Sequence, residues 1–196
     1  MDALIPLLVG YGVGSLPLGY LVANRLKGLD LRRVGSGNVG AANVYRTAGL
    51  TIAVIVVCID VAKGASSVAL AARVTTGAAG PVAAGVAAII GHVYPVWLRF
   101  QGGKGVATAC GVFSVLAPLA TVISLGVFVA TVSVTRYVSL GSVVATAALA
   151  PLAWITDRSI PVVAGSVLAA ALIIQRHRAN LARLHHGTER RLGQKA

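Results

Sequence analysis

The sequence predicts an all-α integral membrane protein, and three observations predict it. Of its 196 residues 57% are hydrophobic and only 11% are charged, against about 25% charged in a typical soluble domain. The mean hydropathy is +0.84. The apolar residues also fall in long uncharged runs with no two-residue alternation, which suits helices that satisfy their own backbone in hydrocarbon and not the strands of a membrane barrel. Gly (23 residues), Ala and Val are abundant while aromatics make up 5%, a composition for helices packed closely through small-residue faces.

Seven runs read as spans, at 3–23, 50–70, 78–98, 105–117, 119–135, 138–156 and 160–175. The first residues, Met1-Asp2-Ala3, offer no basic n-region, so no cleaved signal peptide is expected. The second span carries Asp60 and Lys63, three residues apart on one helical face. A charge pair at that depth faces the bundle interior, and it is read first as a structural ion pair between helices. The third ends at His92, read as a hydrogen-bonded structural histidine before a base. The fourth is too short to cross alone, since a straight crossing needs about 20 residues. It is tilted, buried within protein, or merged across Pro118 with the fifth, so the count is seven with six possible. Cys58 and Cys110 fall inside apolar spans and are read as packing residues.

Counting basic residues orients the chain. With seven spans and the N-terminus outside, the cytoplasmic segments hold Arg25, Lys27, Arg32, Arg33, Arg46, Arg99, Lys104, Arg136, Arg176, Arg178, Arg183, Arg190, Arg191 and Lys195, which is 14 of the 17 Lys and Arg. Outside segments hold only Arg73 and Arg158. The positive-inside rule therefore selects this orientation, with a cytoplasmic C-terminus. Six spans would move the basic tail outside, which favours seven. Part of the net charge of +12 is this ordinary signal, drawn to an anionic leaflet.

What the signal leaves unexplained is the company the basic residues keep. Three cytoplasmic segments, 35–46 (GSGNVGAANVYR), 91–108 (GHVYPVWLRFQGGKGVAT) and 176–189 (RHRANLARLHHGTE), set them among Gly, Ser, Asn and His. In the first, Gly35-x-Gly37-x-x-Gly40 has the spacing of a dinucleotide turn, but that turn needs a βαβ unit and a reachable acidic residue about 20 positions on. Asp60 lies in a span, so a nucleotide fold is rejected. The glycines still allow backbone N–H groups to face an anion, with Ser36 and Asn38 adding donors and Arg46 adding charge. In the second, Lys104 is followed by Gly105 and not by the Ser or Thr of a Walker loop. What remains is a glycine turn opening a helix with a lysine at its mouth, an anion site. In the third, His177, Asn180 and Arg183 share one helical face, and Glu189 orients Arg or Lys side chains; a solvated basic tail is the alternative for this segment.

These residues resemble a known family. Ser36-Gly37-Asn38-x-Gly40-Ala41-x-Asn43-x-x-Arg46, Gly91-His92-x-x-Pro95 with Phe100-x-Gly102-Gly103-Lys104-Gly105-Val106-Ala107-Thr108, and Asn180-x-x-Arg183-Leu184-x-x-Gly187-x-Glu189 look like the bacterial acyl-phosphate-dependent glycerol-3-phosphate acyltransferases, the PlsY family. Gly14-Ser15-x-Pro17, Asp60-x-x-Lys63-Gly64 and Ser139-x-Gly141-Ser142 extend the resemblance over essentially the whole chain. Val39, Ala42 and Gln101 stand where the family usually has Pro, Thr and Lys.

The resemblance implies one polytopic acyltransferase domain over 1–196 in the inner membrane of a bacterium, with its site on the cytoplasmic face. It implies transfer of a fatty acyl group from acyl phosphate to the 1-hydroxyl of glycerol 3-phosphate, with no metal, no other cofactor, no acyl-CoA and no nucleic-acid partner. By carry-over, Ser36, Gly37, Asn38, Gly40, Gly102, Gly103, Lys104 and Gly105 hold the acyl phosphate, while Arg46, Ser142, His177, Asn180 and Arg183 hold glycerol 3-phosphate. Lys104, Ser36, Arg46, Asn180 and His177 carry the chemistry, and Asn43, His92 and Glu189 support it. The lipid bilayer and an enzyme that supplies acyl phosphate are the expected partners. A phosphate or organophosphate transporter is the alternative class, although no internal repeat of the transporter kind is visible.

Overall fold

The computed structural model describes residues 4–194. The start of the first predicted span, the Met1-Asp2-Ala3 terminus and Lys195 lie outside them. Among the described residues all regular structure is helical: α1 (Leu4–Ser15), α2 (Leu18–Lys27), α3 (Ala41–Ala48), α4 (Leu50–Val74), α5 (Ala79–Val93), a 3-10 turn (Val96–Leu98), α6 (Val106–Leu116), α7 (Pro118–Thr135), α8 (Val138–Thr156), α9 (Ile160–Arg176) and α10 (Arg178–His185). Each of the seven apolar runs is helical, as predicted. Five segments are long and apolar enough to cross a bilayer: Leu4–Lys27, Leu50–Val74, Ala79–Leu98, Pro118–Thr135 and Val138–Thr156. α9 joins α10 through a 56° bend at His177.

The short fourth run is a half-length helix enclosed by protein. α6 has 11 residues, a length of about 16 Å against a hydrocarbon core of about 30 Å. It packs against α4, α5, α7 and α9, and its Val112 and Phe113 are fully buried at the centre of the larger apolar cluster.

Residue pairings fix the direction of each helix. α1, α5 and α9 run the same way: Gly10 and Gly14 meet Ala84 and Ala88, Gly165 meets Val82, and Gly105 touches both Ile89 and Ile173. α4 runs against α5, since Gly80 abuts Thr75 near one end while Asp60 meets His92 near the other. α6 also opposes α5, with Gly105 beside Ile89 and Val112 beside Gly85. α7 and α8 form a hairpin, and the start of α8 meets the tail beyond α9 through Ser139 and Glu189. The chain therefore reverses between α6 and α7, at Ala117, and these two helices are not one bent span. The consequence is that all three polar motif segments gather at one end of the bundle, with Arg73 and Arg158 at the other.

Glycine makes this packing possible. A Cβ on Gly111 would overlap the carbonyl of Val61, and one on Gly64 the carbonyl of Thr108, so α4 and α6 touch backbone to backbone. Gly111→Leu is expected to destabilise the fold by about 3 kcal/mol, the upper end for overpacking. Gly126→Leu, at a position where a Cβ meets nothing, should leave the thermal midpoint of the solubilised protein unchanged.

Candidate active site

The first glycine segment is a loop held together from within. Asn43, buried on α3, accepts from the Ser36 amide at 2.8 Å and donates to the carbonyls of Leu31 (3.2 Å) and Val34 (3.1 Å). Asn38 accepts from the Gly40 amide at 2.8 Å and donates to the Gly102 carbonyl at 3.3 Å, tying this loop to the second glycine segment. Gly37 donates its own amide to Val34 at 3.1 Å. Gly35 and Gly37 adopt φ of 63° and 71°, left-handed conformations that favour glycine. The amides of Ser36, Gly37 and Gly40 are thus occupied. The expectation that they face an anion gives way to a loop that presents side chains: Ser36 is exposed, Asn38 is half-buried, and Arg46 follows one turn of α3 later.

The second segment shows the same economy of amides. Gly102 and Gly103 donate to the carbonyls of Val93 and His92, both at 3.1 Å, so their N–H groups pin the loop to the end of α5. Beyond them Gly105 (φ 87°) opens α6. The N–H groups of Val106, Ala107 and Thr108 have no carbonyl four residues back within the helix, and half-buried Lys104 stands beside them.

Lys104 is the hub of the site. Its Nζ donates to Asn180 Oδ1. Asn180 in turn donates to Glu189 Oε1 at 2.6 Å, which also receives the Ser139 hydroxyl at 2.8 Å, while Arg183 Nε donates to Glu189 Oε2 at 2.7 Å. One line of hydrogen bonds thus joins the loop before α6, α10, the tail and α8. Burial raises the Glu189 pKa, but the hydrogen bonds from Asn180, Ser139 and Arg183 outweigh it, and the carboxyl stays below its ordinary range. Burial pulls Lys104 down to about 8; Arg183, Arg46 and Arg176 push the same way and Glu189 opposes them. Burial likewise lowers Arg46, with Arg190 adding to it. Four cations, Lys104, Arg46, Arg176 and Arg183, therefore share one carboxylate.

Two of those cations are incompletely partnered. The Nε atoms of Arg46 and Arg176 are buried and have no hydrogen-bond acceptor among the described residues. Buried donors of this kind ordinarily have an acceptor in a native protein. Arg176 also lies over the Tyr94 ring, 5.4 Å from its centroid.

His177 sits at the α9–α10 bend, just past the last apolar run. Its Nδ1 is 2.8 Å from the Ile173 carbonyl, which can only accept, so Nδ1 carries the proton and Nε2 is left as the acceptor. Burial lowers its pKa to about 4, and the charges of Lys104 and Arg176 deepen the shift. The ring is neutral at neutral pH.

Behind the second loop lies a buried ionic cluster. Lys63 Nζ is 3.0 Å and His92 Nδ1 3.4 Å from the same Asp60 oxygen, and all three residues are less than 9% exposed. The other edge of the His92 ring fills the space where a Gly103 side chain would be. Asp60 and Lys63 pair within α4 and not between helices as expected; it is His92 of α5 that joins the two helices, and its ring reaches the residue preceding Lys104. Among the described residues no three His, Cys, Asp or Glu side chains converge as a metal site would require.

Of the sequence-predicted residues, Lys104, Arg46, His177, Asn180, Arg183 and Glu189 come together. Asn38, Gly40, Gly102, Gly103 and Gly105 build the adjoining loops, and Asn43 and His92 brace them. Ser142 is placed differently: its hydroxyl donates to Val138, four residues back on its own helix, at 2.8 Å. Ser139, one turn earlier, makes the contact to Glu189. Ser139 and Arg176 are the two residues that sequence reasoning missed. Ser139 was legible as the first serine of Ser139-x-Gly141-Ser142, whereas nothing in the sequence sets Arg176 apart from its neighbours.

With this geometry in view, three comparisons bear on it. Residues 4–187 match the family model described as glycerol-3-phosphate acyltransferase. The glycerol-3-phosphate acyltransferase of Myxococcus xanthus (strain DK1622) is 46% identical over 185 residues, covering 94% of this chain and 96% of that protein. That of Synechococcus sp. (strain CC9902) is 46% identical over 195 residues, covering 100% and 98%. A crystal structure of PlsY, an integral membrane glycerol 3-phosphate acyltransferase, in its glycerol 3-phosphate form is similar with a TM-score of 0.92 and 39% identity, over 98% of this chain and 96% of that one.

Proposed function

Since the chain belongs to the glycerol-3-phosphate acyltransferase family, we propose that it moves a fatty acyl group from acyl phosphate to the 1-hydroxyl of sn-glycerol 3-phosphate. The products are lysophosphatidic acid and inorganic phosphate. The observation that supports this site for two phosphate-bearing substrates is the pair of buried, acceptor-less Nε groups of Arg46 and Arg176 beside Lys104. In this reading Arg46, Arg176 and Arg183 draw the two anions together, overcoming their mutual repulsion and fixing their orientation. Lys104, held by Asn180, and the first amides of α6 lie against the acyl phosphate, with Ser36 and Asn38 at the loop mouth.

An acyl phosphate is a mixed anhydride with a good leaving group. The glycerol oxygen attacks the acyl carbon, the bond from that carbon to the phosphate oxygen breaks, and the departing phosphate takes both the electron pair and the hydroxyl proton. Lys104 stabilises the charge that develops. A substrate base of this kind suits the site, because His177 is held neutral and has little affinity for a proton. His177→Gln is expected to keep most of its turnover, with a pH profile of kcat that follows the parent protein's down through about pH 4, where His177 takes up its proton. A large loss with the pH dependence abolished would make His177 the base.

The whole chain serves as one polytopic domain in a bacterial inner membrane, in this proposal, with the motif end in the cytoplasm, where an acyl-phosphate-producing enzyme supplies the donor. The test is lysophosphatidic acid formation by the purified protein given acyl phosphate and glycerol 3-phosphate. Product from acyl-CoA but not from acyl phosphate would overturn the donor assignment, and no product with either would overturn the activity.

A further inference from the structure

Residues 30–33 and 98–101 enclose a second concavity of about 380 Å³, lined by Asp30, Arg32, Arg33, Leu98, Arg99 and Gln101. None of these belongs to the Lys104 cluster. Its charge is only partly compensated. Arg32 takes both carboxylate oxygens of Asp30 at 2.9 Å and lies 5.2 Å from the Tyr20 ring centroid, so its guanidinium is already engaged. Arg33 approaches Asp30 only to 3.6 Å and its side chain is 85% exposed. Arg99 is exposed and forms no ion pair among the described residues. Two guanidinium groups and the Gln101 amide thus line a space with room for a phosphate group.

The adjoining turn has a second character. After the 3-10 turn, Arg99 and Phe100 adopt φ of 52° and 61°, two successive left-handed residues without glycine, a strain that persists where a structure has use for it. The turn is closed by bonds from Arg99 to Val96 (3.2 Å), Phe100 to Pro95 (2.9 Å) and Gln101 to Leu98 (3.1 Å). It leaves Phe100, next to Arg99 in the chain, 58% exposed, and Trp97 64% exposed with its indole N–H donating to the Ser15 hydroxyl at 3.2 Å. Exposed aromatic side chains sit at the headgroup level of a bilayer, and basic pockets there hold anionic head groups. Positive-inside charge accounts for arginines scattered over this end of the bundle, but not for their sharing one pocket next to a turn that exposes two aromatic side chains.

We propose that this pocket is a second anion site, separate from the Lys104 cluster, in which Arg33 and Arg99 hold the phosphate of a lipid headgroup while the lipid chain lies along Trp97 and Phe100. The full-length protein, solubilised in neutral detergent, is titrated separately with phosphatidylglycerol, phosphatidylcholine and inorganic phosphate, with binding read by native mass spectrometry and thermal shift. Phosphatidylglycerol should bind in preference to phosphatidylcholine, and inorganic phosphate far more weakly than phosphatidylglycerol. The double variant R33Q/R99Q should lose about 5-fold in affinity for each guanidinium removed and keep its turnover in phosphatidylcholine. R158Q, at the opposite end, should bind as the parent protein does. Equal binding of the two lipids, or undiminished affinity in R33Q/R99Q, overturns the site; inorganic phosphate binding as well as phosphatidylglycerol overturns the lipid as its occupant. If the double variant does not fold, R33Q and R99Q singly carry the same comparison at about 5-fold each.

Discussion

Lys104→Met is expected to lower kcat/KM for both substrates by about 1000-fold, the upper range for deleting one preorganised charge donor at a reacting centre. The side chain has nearly the same length, so the loop pinned by Gly102 and Gly103 to α5 should keep its shape and the thermal midpoint should hardly move. Because Lys104 titrates at about 8 and the protonated form binds the anion, kcat/KM should fall as pH rises through about 8 and stay level below it. Lys104→Arg should remove that fall, since a guanidinium does not titrate in this range. A Lys104→Met enzyme with near-normal kcat/KM would remove the residue from the chemistry.

The second large effect is on folding. Asp60→Leu leaves Lys63 charged and unpaired in the interior of the bundle, where the pair now sits 3.0 Å apart with each side chain 6% exposed. Removing one partner of such a pair is expected to destabilise by about 3–5 kcal/mol. The double variant Asp60→Leu/Lys63→Met takes away both charges and should recover most of that stability, whereas His92→Gln alone should affect activity more than unfolding, through the Gly103 contact. Unfolding in a denaturing detergent series, read alongside turnover, separates the two. If the double variant is as unstable as the single one, the ion pair is not what Asp60 contributes.

How much of this was legible in the sequence depends on the range of the interaction. Helicity and the place of each helix follow from unbroken apolar runs, because the bilayer imposes the same rule on every segment. The half-length α6 was ambiguous since the rule is silent on a helix that protein, and not lipid, surrounds. The Asp60–Lys63 pair was visible at three-residue spacing, but His92 joins it only through the opposed register of α4 and α5, which a linear pattern does not carry. The glycines of 35–40 and 102–105 were correctly read as places where the backbone must bend. The partners of their amides were not, because the Asn43 and Val93 groups that occupy them are fixed by tertiary placement. Ser142 and Ser139 are chemically alike and three residues apart; which hydroxyl reaches Glu189 and which returns to its own helix is settled by a rotation of α8 that no residue type announces.

Glu189 lies beyond the last helix, on a tail that is fastened by the Leu192 amide to the Arg136 carbonyl at 2.6 Å and by Arg191 to the Tyr137 hydroxyl at 3.3 Å. That placement gives the protein a birth order. During synthesis the apolar helices, the glycine loops and Lys104 are all made before the carboxylate that organises Asn180, Ser139 and Arg183. The site is completed by a residue that follows every helix it joins, so a chain interrupted before Glu189 carries the cations without the group that orders them.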